Sequence, residues 1–163
     1  MEKNMNCLSC DSNSGIKRIS PGKPIYKGNY WIVEHAYPTG VLGWNVIVLL
    51  RHCEKLHELL LEEWIELAEI QDAVTKSMHK IGKLEKEYSA CFAEVEGFKH
   101  IHFHVIPKYE NLSNEFLGTK SFQYLKVGIE NSIDQNIVIE YCIDMRNEVE
   151  NYIKKRHRTT AST

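Results

Sequence analysis

Three histidines at alternate positions, His100, His102 and His104, stand in the segment Gly97-Phe98-Lys99-His100-Ile101-His102-Phe103-His104-Val105-Ile106-Pro107. Alternate side chains of a β-strand share a face, so the imidazoles form a row with about 6.8 Å from one to the next. Ile101, Phe103 and Val105 then face a core. Histidine combines metal ligation with proton transfer near neutral pH, whereas Thr, Lys or Glu would serve equally as the plain polar face of a strand. A neutral imidazole can also attack phosphorus near pH 7 without a separate base. A second pattern is Cys7-Leu8-Ser9-Cys10, the C-x₂-C spacing of a zinc knuckle. No second C-x₂-C or H-x₃₋₅-H follows it, so further ligands for a metal must come from elsewhere in the chain.

The elements that must position these residues are legible as changes of period. Residues 26–35 are aromatic and β-branched around Lys27-Gly28-Asn29, which predicts a hairpin, and the apolar run 42–50 predicts a buried strand. From Glu54 the spacing becomes helical: Leu56, Leu60, Trp64, Leu67, Ile70, Val74, Met78 and Ile81 recur at steps of three and four, with Gly82 as a stop. Residues 89–95 and 100–107 read as two further strands. Ser132-Ile133-Asp134-Gln135 matches a capping box, and Ile133, Ile137, Tyr141, Met145, Val149 and Tyr152 continue as an apolar helical stripe. Lys154-Lys155-Arg156-His157-Arg158 then places cations at the negative end of the helix dipole. The expectation is an α+β fold: a meandering antiparallel sheet of at least four strands, one long helix inserted between the second and third, and a C-terminal helix. The chain divides into an arm over 1–24 carrying the knuckle, a domain over 25–131, a helix over 132–156 packed on it, and a disordered tail over 157–163.

The composition is that of an ordinary globular protein. The chain has 163 residues, 43% hydrophobic and 26% charged, and 20 Lys+Arg against 22 Asp+Glu give a net charge of −2. That balance argues against a protein that wraps nucleic acid, which needs a large cationic surface. No run reaches the roughly 20 apolar residues of a membrane span, and the start Met1-Glu2-Lys3-Asn4 leads into no apolar signal core. With five cysteines, an odd number, the chain reads as cytoplasmic, and Cys53, Cys91 and Cys142 read as small buried hydrophobes. His57, His79 and His157 read as solvated side chains.

The segment His100-Ile101-His102-Phe103-His104-Val105-Ile106 resembles the His-φ-His-φ-His-φ-φ signature of the histidine triad (HIT) superfamily of nucleotide hydrolases and transferases, filling all seven positions. Gly43-Trp44-Asn45-Val46-Ile47-Val48-Leu49-Leu50-Arg51-His52 is similar to the family's Gly-His-x-φ-φ-φ-Pro-x-x-His strand, which runs into a long helix. The resemblance covers about residues 5–110. It implies a HIT-like fold, His102 as the nucleophile that forms a nucleotidyl-histidine intermediate, and His104 as a hydrogen-bond donor to phosphate oxygen or leaving group. It also implies a structural zinc held by Cys7, Cys10, His52 and His100, as in the branches related to galactose-1-phosphate uridylyltransferase. A homodimer and cleavage at the α-phosphorus of nucleoside phosphoramidates or dinucleoside polyphosphates belong to the same expectation.

Four departures from the family pattern stand out. Trp44 occupies the place of a histidine, Leu49 that of a proline, and Ala36 that of the Asp or Asn that holds ribose, with Glu34 and His35 beside it. Ahead of the triad, where the family offers Ser, Thr, Gln or Asn, this chain has Glu94, Glu96 and Gly97, and ionised carboxylates repel phosphate. Donors for a substrate are then sought in the Gly97 backbone N–H, Asn45, Lys99 and Lys108. Two other readings follow: a nucleotide-binding or regulatory protein without turnover, and a metal enzyme with His100, His102 and His104 as joint ligands. The last would need the three rings to converge, which a straight strand does not provide.

Overall fold

A computed structural model of the chain describes residues 6–125 and 127–160. Five strands form one antiparallel sheet: β1 (Tyr26–Lys27), β2 (Trp31–His35), β3 (Asn45–Leu49), β4 (Leu84–Ala90) and β5 (His102–Tyr109), in the order β1-β2-β3-β5-β4. The expected meander therefore holds only through β3. The chain then runs through a long helix, enters the far edge as β4 and returns as β5, so the histidine strand lies between two partners. Helices α1 (Leu8–Asn13), α2 (Leu61–Ile81) and α3 (Gln135–Thr160) complete the architecture.

Both long helices cover one face of the sheet. Trp31, Val33, Ile47, Leu49, Ile101 and Val105 meet Leu67, Ile70, Val74 and Met78 of α2 and Val138, Cys142, Met145 and Val149 of α3 in one buried cluster. Burying such side chains contributes about 1.5–3 kcal/mol each, which sets the register of the strands they come from. The opposite face carries a smaller cluster of Ala36, Trp44 and Ile106, flanked by Phe122, Tyr124 and Leu125.

Several boundaries differ from the sequence-based expectation. The strand expected over 89–95 is β4 at Leu84–Ala90, because an edge strand paired on one side only carries charges such as Glu85, Lys86 and Glu87 and lacks an apolar pattern. Ala93 at φ 52° and Gly97 at φ 79° bend the chain out of the strand conformation beyond it. The strand expected from 100 begins at His102. Helix α2 begins at Leu61, after a short 3₁₀ turn over Leu56–Glu58. The Glu63 carboxylate accepts the Leu60 N–H at 2.8 Å and thereby caps its first turn.

Ser132 does not cap α3. Its hydroxyl donates to the Ile129 carbonyl at 3.0 Å, and Asp134 accepts the Asn136 N–H at 2.8 Å, one residue before the helix starts. The apolar stripe is correspondingly rotated: Val138 and Cys142 are buried, whereas Ile137 is 48% exposed. The helix also runs past residue 156 to Thr160, because Lys and Arg are good helix formers and suit its negative end. The rest of the tail expected as disordered, residues 161–163, lies outside the described residues, as do residues 1–5 of the arm. Within the arm, α1 replaces the expected irregular chain. It is fixed by Leu8 N–H to Gly97 carbonyl at 2.8 Å and by the Asn13 amide to the Leu49 carbonyl at 2.8 Å.

Candidate active site and metal centre

Cys7 caps the first turn of α1 and Cys10 lies within it, so the knuckle is a rigid pair, with the Cys10 N–H 3.4 Å from the Cys7 sulfur. His52 follows the end of β3 and His100 precedes β5, which brings two imidazoles to the same point. His100 Nδ1 lies 3.4 Å from Cys7 Sγ and 3.5 Å from Cys10 Sγ, and His52 Nδ1 lies 3.5 Å from Cys10 Sγ. All four donor atoms fall within 4.8 Å of one another. Tetrahedral zinc, with Zn–S about 2.3 Å and Zn–N about 2.05 Å, places nitrogen and sulfur about 3.6 Å apart, so the set fits that metal.

The surroundings of the four atoms agree with that fit. His100 Nε2–H donates to the Leu49 carbonyl at 2.7 Å, which leaves Nδ1 as the ligating nitrogen, and His52 Nε2 is 3.3 Å from Glu54. Such outer partners orient ligating histidines. Burial pushes His100 down to about 4, so its ring is neutral, as a ligand must be. Burial and the neighbouring Cys7 push the Cys10 thiol up to about 12, so a Cys10 thiolate here calls for a cation beside it. The expected joint site of His100, His102 and His104 does not form. Among the described residues the metal-type cluster comprises Cys7, Cys10, His52 and His100 alone.

On the sheet face away from α2 and α3 lies a cavity of about 230 Å³, floored by Val46 and Val48 and lined by His102 and His104. The register explains the grouping: Val48 pairs with His102, Val46 with His104, and Glu34 with Val46, so even-numbered residues of three strands share this face. One wall is α1, through Ser9, Ser12 and Asn13. The knuckle helix thus belongs to both the metal centre and the cavity.

Hydrogen bonds fix the two cavity histidines in different states. His102 Nδ1 lies 2.7 Å from the His100 carbonyl, which can only accept, so Nδ1 carries the proton and Nε2 the lone pair. His104 Nδ1 lies 3.1 Å from the indole N–H of Trp44, which can only donate, so Nδ1 is the acceptor and Nε2 carries the proton. The rings stand edge to face, 4.8 Å between centroids. A nitrogen with its lone pair and a nitrogen with its proton therefore sit on adjacent histidines of one strand.

The structure does not bring Asn45, Gly97 or Lys108 to this cavity. Asn45 is fully buried on the helix side, donating to the Gly43 carbonyl at 3.1 Å and the Tyr141 hydroxyl at 3.0 Å. Gly97 accepts from α1, and Lys108 pairs with Glu85 at the sheet edge. Glu94 lines the cavity, whereas Glu96 is 83% exposed and faces Lys99 at 3.4 Å. Glu34 also lines it, buried and held by Arg18 at 2.9 Å and Ser12 at 3.4 Å. Next to it, His35 is held with its Nδ1 on the Ala36 carbonyl at 2.6 Å and its Nε2 accepting the Gly43 N–H at 2.8 Å. Burial lowers His35 to about 4, and both nitrogens serve the backbone. Phe122, from a 3₁₀ segment over Gly118–Tyr124, covers His104 edge-on at 5.1 Å. No periodicity in the sequence marks that segment.

No family model matches the chain, and no curated protein matches its sequence. Solved structures do match it. A zinc-bound histidine triad family protein from Mycobacterium smegmatis superposes with a TM-score of 0.67 at 16% identity, over 94% of this chain and 99% of that one. A hypothetical histidine triad nucleotide-binding protein from Sulfolobus tokodaii gives 0.67 at 17% identity, over 89% and 93%. A HIT-like protein from Bartonella henselae gives 0.66 at 14% identity, over 91% and 99%. The α+β fold is that of the histidine triad proteins.

Proposed function

We propose that this chain is a zinc-containing histidine triad protein that cleaves a nucleoside phosphate derivative at its α-phosphorus. The observation that carries the reading is the opposed tautomers of His102 and His104 in one cavity. His102 Nε2 attacks phosphorus while the bond from phosphorus to the leaving amine or phosphate oxygen breaks. His104 Nε2–H donates a hydrogen bond to the oxygen or nitrogen that gains charge in that step, and a leaving amine takes up a proton from solvent as it departs. Water then cleaves the phosphorus–His102 bond, releasing a nucleoside monophosphate and restoring the neutral ring. Bound zinc would supply structure alone, since Cys7, Cys10, His52 and His100 close a four-ligand set.

Substrates of two kinds fit this chemistry, nucleoside 5′-phosphoramidates and dinucleoside polyphosphates. A homodimer is part of the proposal, supported by the exposed Leu60, Leu61, Trp64 and Ile65 at the start of α2. So is a place in the cytoplasm. No helix among the described residues is long and apolar enough to cross a membrane. The alternative of nucleotide binding without turnover draws its support from the carboxylates of Glu34 and Glu94 in the cavity wall. Assay of nucleoside monophosphate release from one substrate of each kind separates the two. Release supports the proposal, and tight nucleotide binding without release favours the alternative.

A further inference from the structure

Trp44 stands at the entry to β3 with no exposed surface, enclosed with Ala36 and Ile106 and crossed edge-on by Phe122 at 5.2 Å. Its backbone carbonyl takes the Ala36 N–H at 2.8 Å, so both main chain and ring are fixed. The ring's single polar atom, Nε1–H, points at His104 Nδ1. A buried indole N–H that loses its acceptor costs about 1–3 kcal/mol, so the pair holds both rings. A hydroxyl, an amide or a second imidazole at this point could either donate or accept, and His104 could then carry its proton on either nitrogen. Indole has no acceptor atom, and that freedom is gone.

We infer that Trp44 is a positioning residue that locks His104 as the Nε2–H tautomer and so makes it a one-way hydrogen-bond donor to the reacting phosphoryl group. The inference rests on the proposed function for the phosphoryl group that His104 meets and on the geometry alone for the tautomer. It gives a division of labour between neighbours. An acceptor-only carbonyl behind His102 turns its lone pair to the cavity, and a donor-only indole behind His104 turns a proton to it. Exchanging these two partners would exchange the roles. Phe122 packs edge-on against both rings of the Trp44–His104 pair, and a hydrogen bond in such a low-dielectric setting is strengthened.

The test is long-range ¹⁵N–¹H correlation of the imidazoles in the zinc-loaded full chain, with kinetics on a nucleoside phosphoramidate for wild type, Trp44→Phe and Trp44→His. The expected spectrum of the wild type has His104 protonated at Nε2 and bare at Nδ1. Trp44→Phe removes the N–H while keeping an aromatic ring, and should give a mixture of His104 tautomers with kcat reduced roughly 10- to 100-fold, the usual range for losing a partner that orients a working histidine. KM should change less. Trp44→His restores a donor and should recover part of kcat. A His104 proton on Nδ1 in the wild type overturns the inference, as does Trp44→Phe with unchanged tautomer and kcat. Should Trp44→Phe fail to fold, the wild-type spectrum decides. Turnover absent from every form would defeat the proposed function, while the tautomer spectra would still decide the role of Trp44.

Discussion

Among the described residues, Glu34 and Glu94 are the acidic side chains that line the cavity, and no Lys or Arg lines it. Burial raises the Glu34 carboxyl above its ordinary range, opposed by the Arg18 guanidinium. Arg18 offsets Glu34, and the Glu94 carboxylate in the wall, a like charge to phosphate, penalises every additional phosphate on a substrate. A nucleoside phosphoramidate should therefore be cleaved at least about tenfold more efficiently than a dinucleoside polyphosphate, a difference of about 1.4 kcal/mol. Glu94→Gln should narrow the gap, and kcat/KM for both substrates in both proteins checks it; equal values in the wild type would contradict the charge argument. At this scale alternation shows the row of His102 and His104 and spacing shows the Cys7/Cys10 pair, while His52 and His100 join the metal-type set only through the resemblance. It does not place Asn45, since β3 is apolar on both faces and alternation cannot say which one meets the cavity. Nor does it reveal the Trp44–His104 bond, which joins residues 60 positions apart.

The elements converge where β3 ends. Arg51, one residue before His52, forms a two-point pair with Glu63 in the first turn of α2, at 2.6 and 2.9 Å. The Arg51 guanidinium, together with the Leu60 N–H, holds the Glu63 carboxyl below the usual glutamate range. With its folded value lowered, this group contributes stability that is complete above its unfolded value of about 4.3 and is lost as pH falls through the folded value. Arg51→Ala should cost about 2 kcal/mol at pH 7, toward the lower end for a charge left buried because the guanidinium is 39% exposed. The deficit relative to wild type should shrink below about pH 4, as urea unfolding at pH 7 and pH 3.5 would show. A deficit independent of pH would mean that packing, not charge, joins α2 to β3. The sequence shows α2 through its apolar period but not its true start. It misplaces β4 because charged edge strands imitate loops in composition.

Across the whole molecule, α1 joins the Cys7, Cys10, His52 and His100 cluster to the cavity, and His100 joins that cluster to His102 through its carbonyl. Apart from Ile25, the main buried cluster draws on β2 and beyond, so the sheet and long helices should outlast the loss of the arm. Chelation should release one zinc per chain, expose the first 24 or so residues to protease and raise KM, while far-ultraviolet circular dichroism changes little. An arm that stays protected after complete zinc removal would contradict this coupling. His102→Ala should keep its zinc, since its side chain lies outside the ligand set. The knuckle and the triad are both visible in the sequence, and the resemblance to histidine triad proteins links them. Their shared use of α1 is not visible, because nothing in a polar arm with a C-x₂-C pair specifies which surface the arm will cover.

Nucleophilic attack by His102, as proposed, leaves a covalent trace that mass analysis of the protein during turnover of a nucleoside phosphoramidate would read. Wild type should gain one nucleotidyl group located on His102, and His102→Ala should gain none and release no nucleoside monophosphate. Equal release by both proteins, or a nucleotidyl group on another residue, would contradict the account.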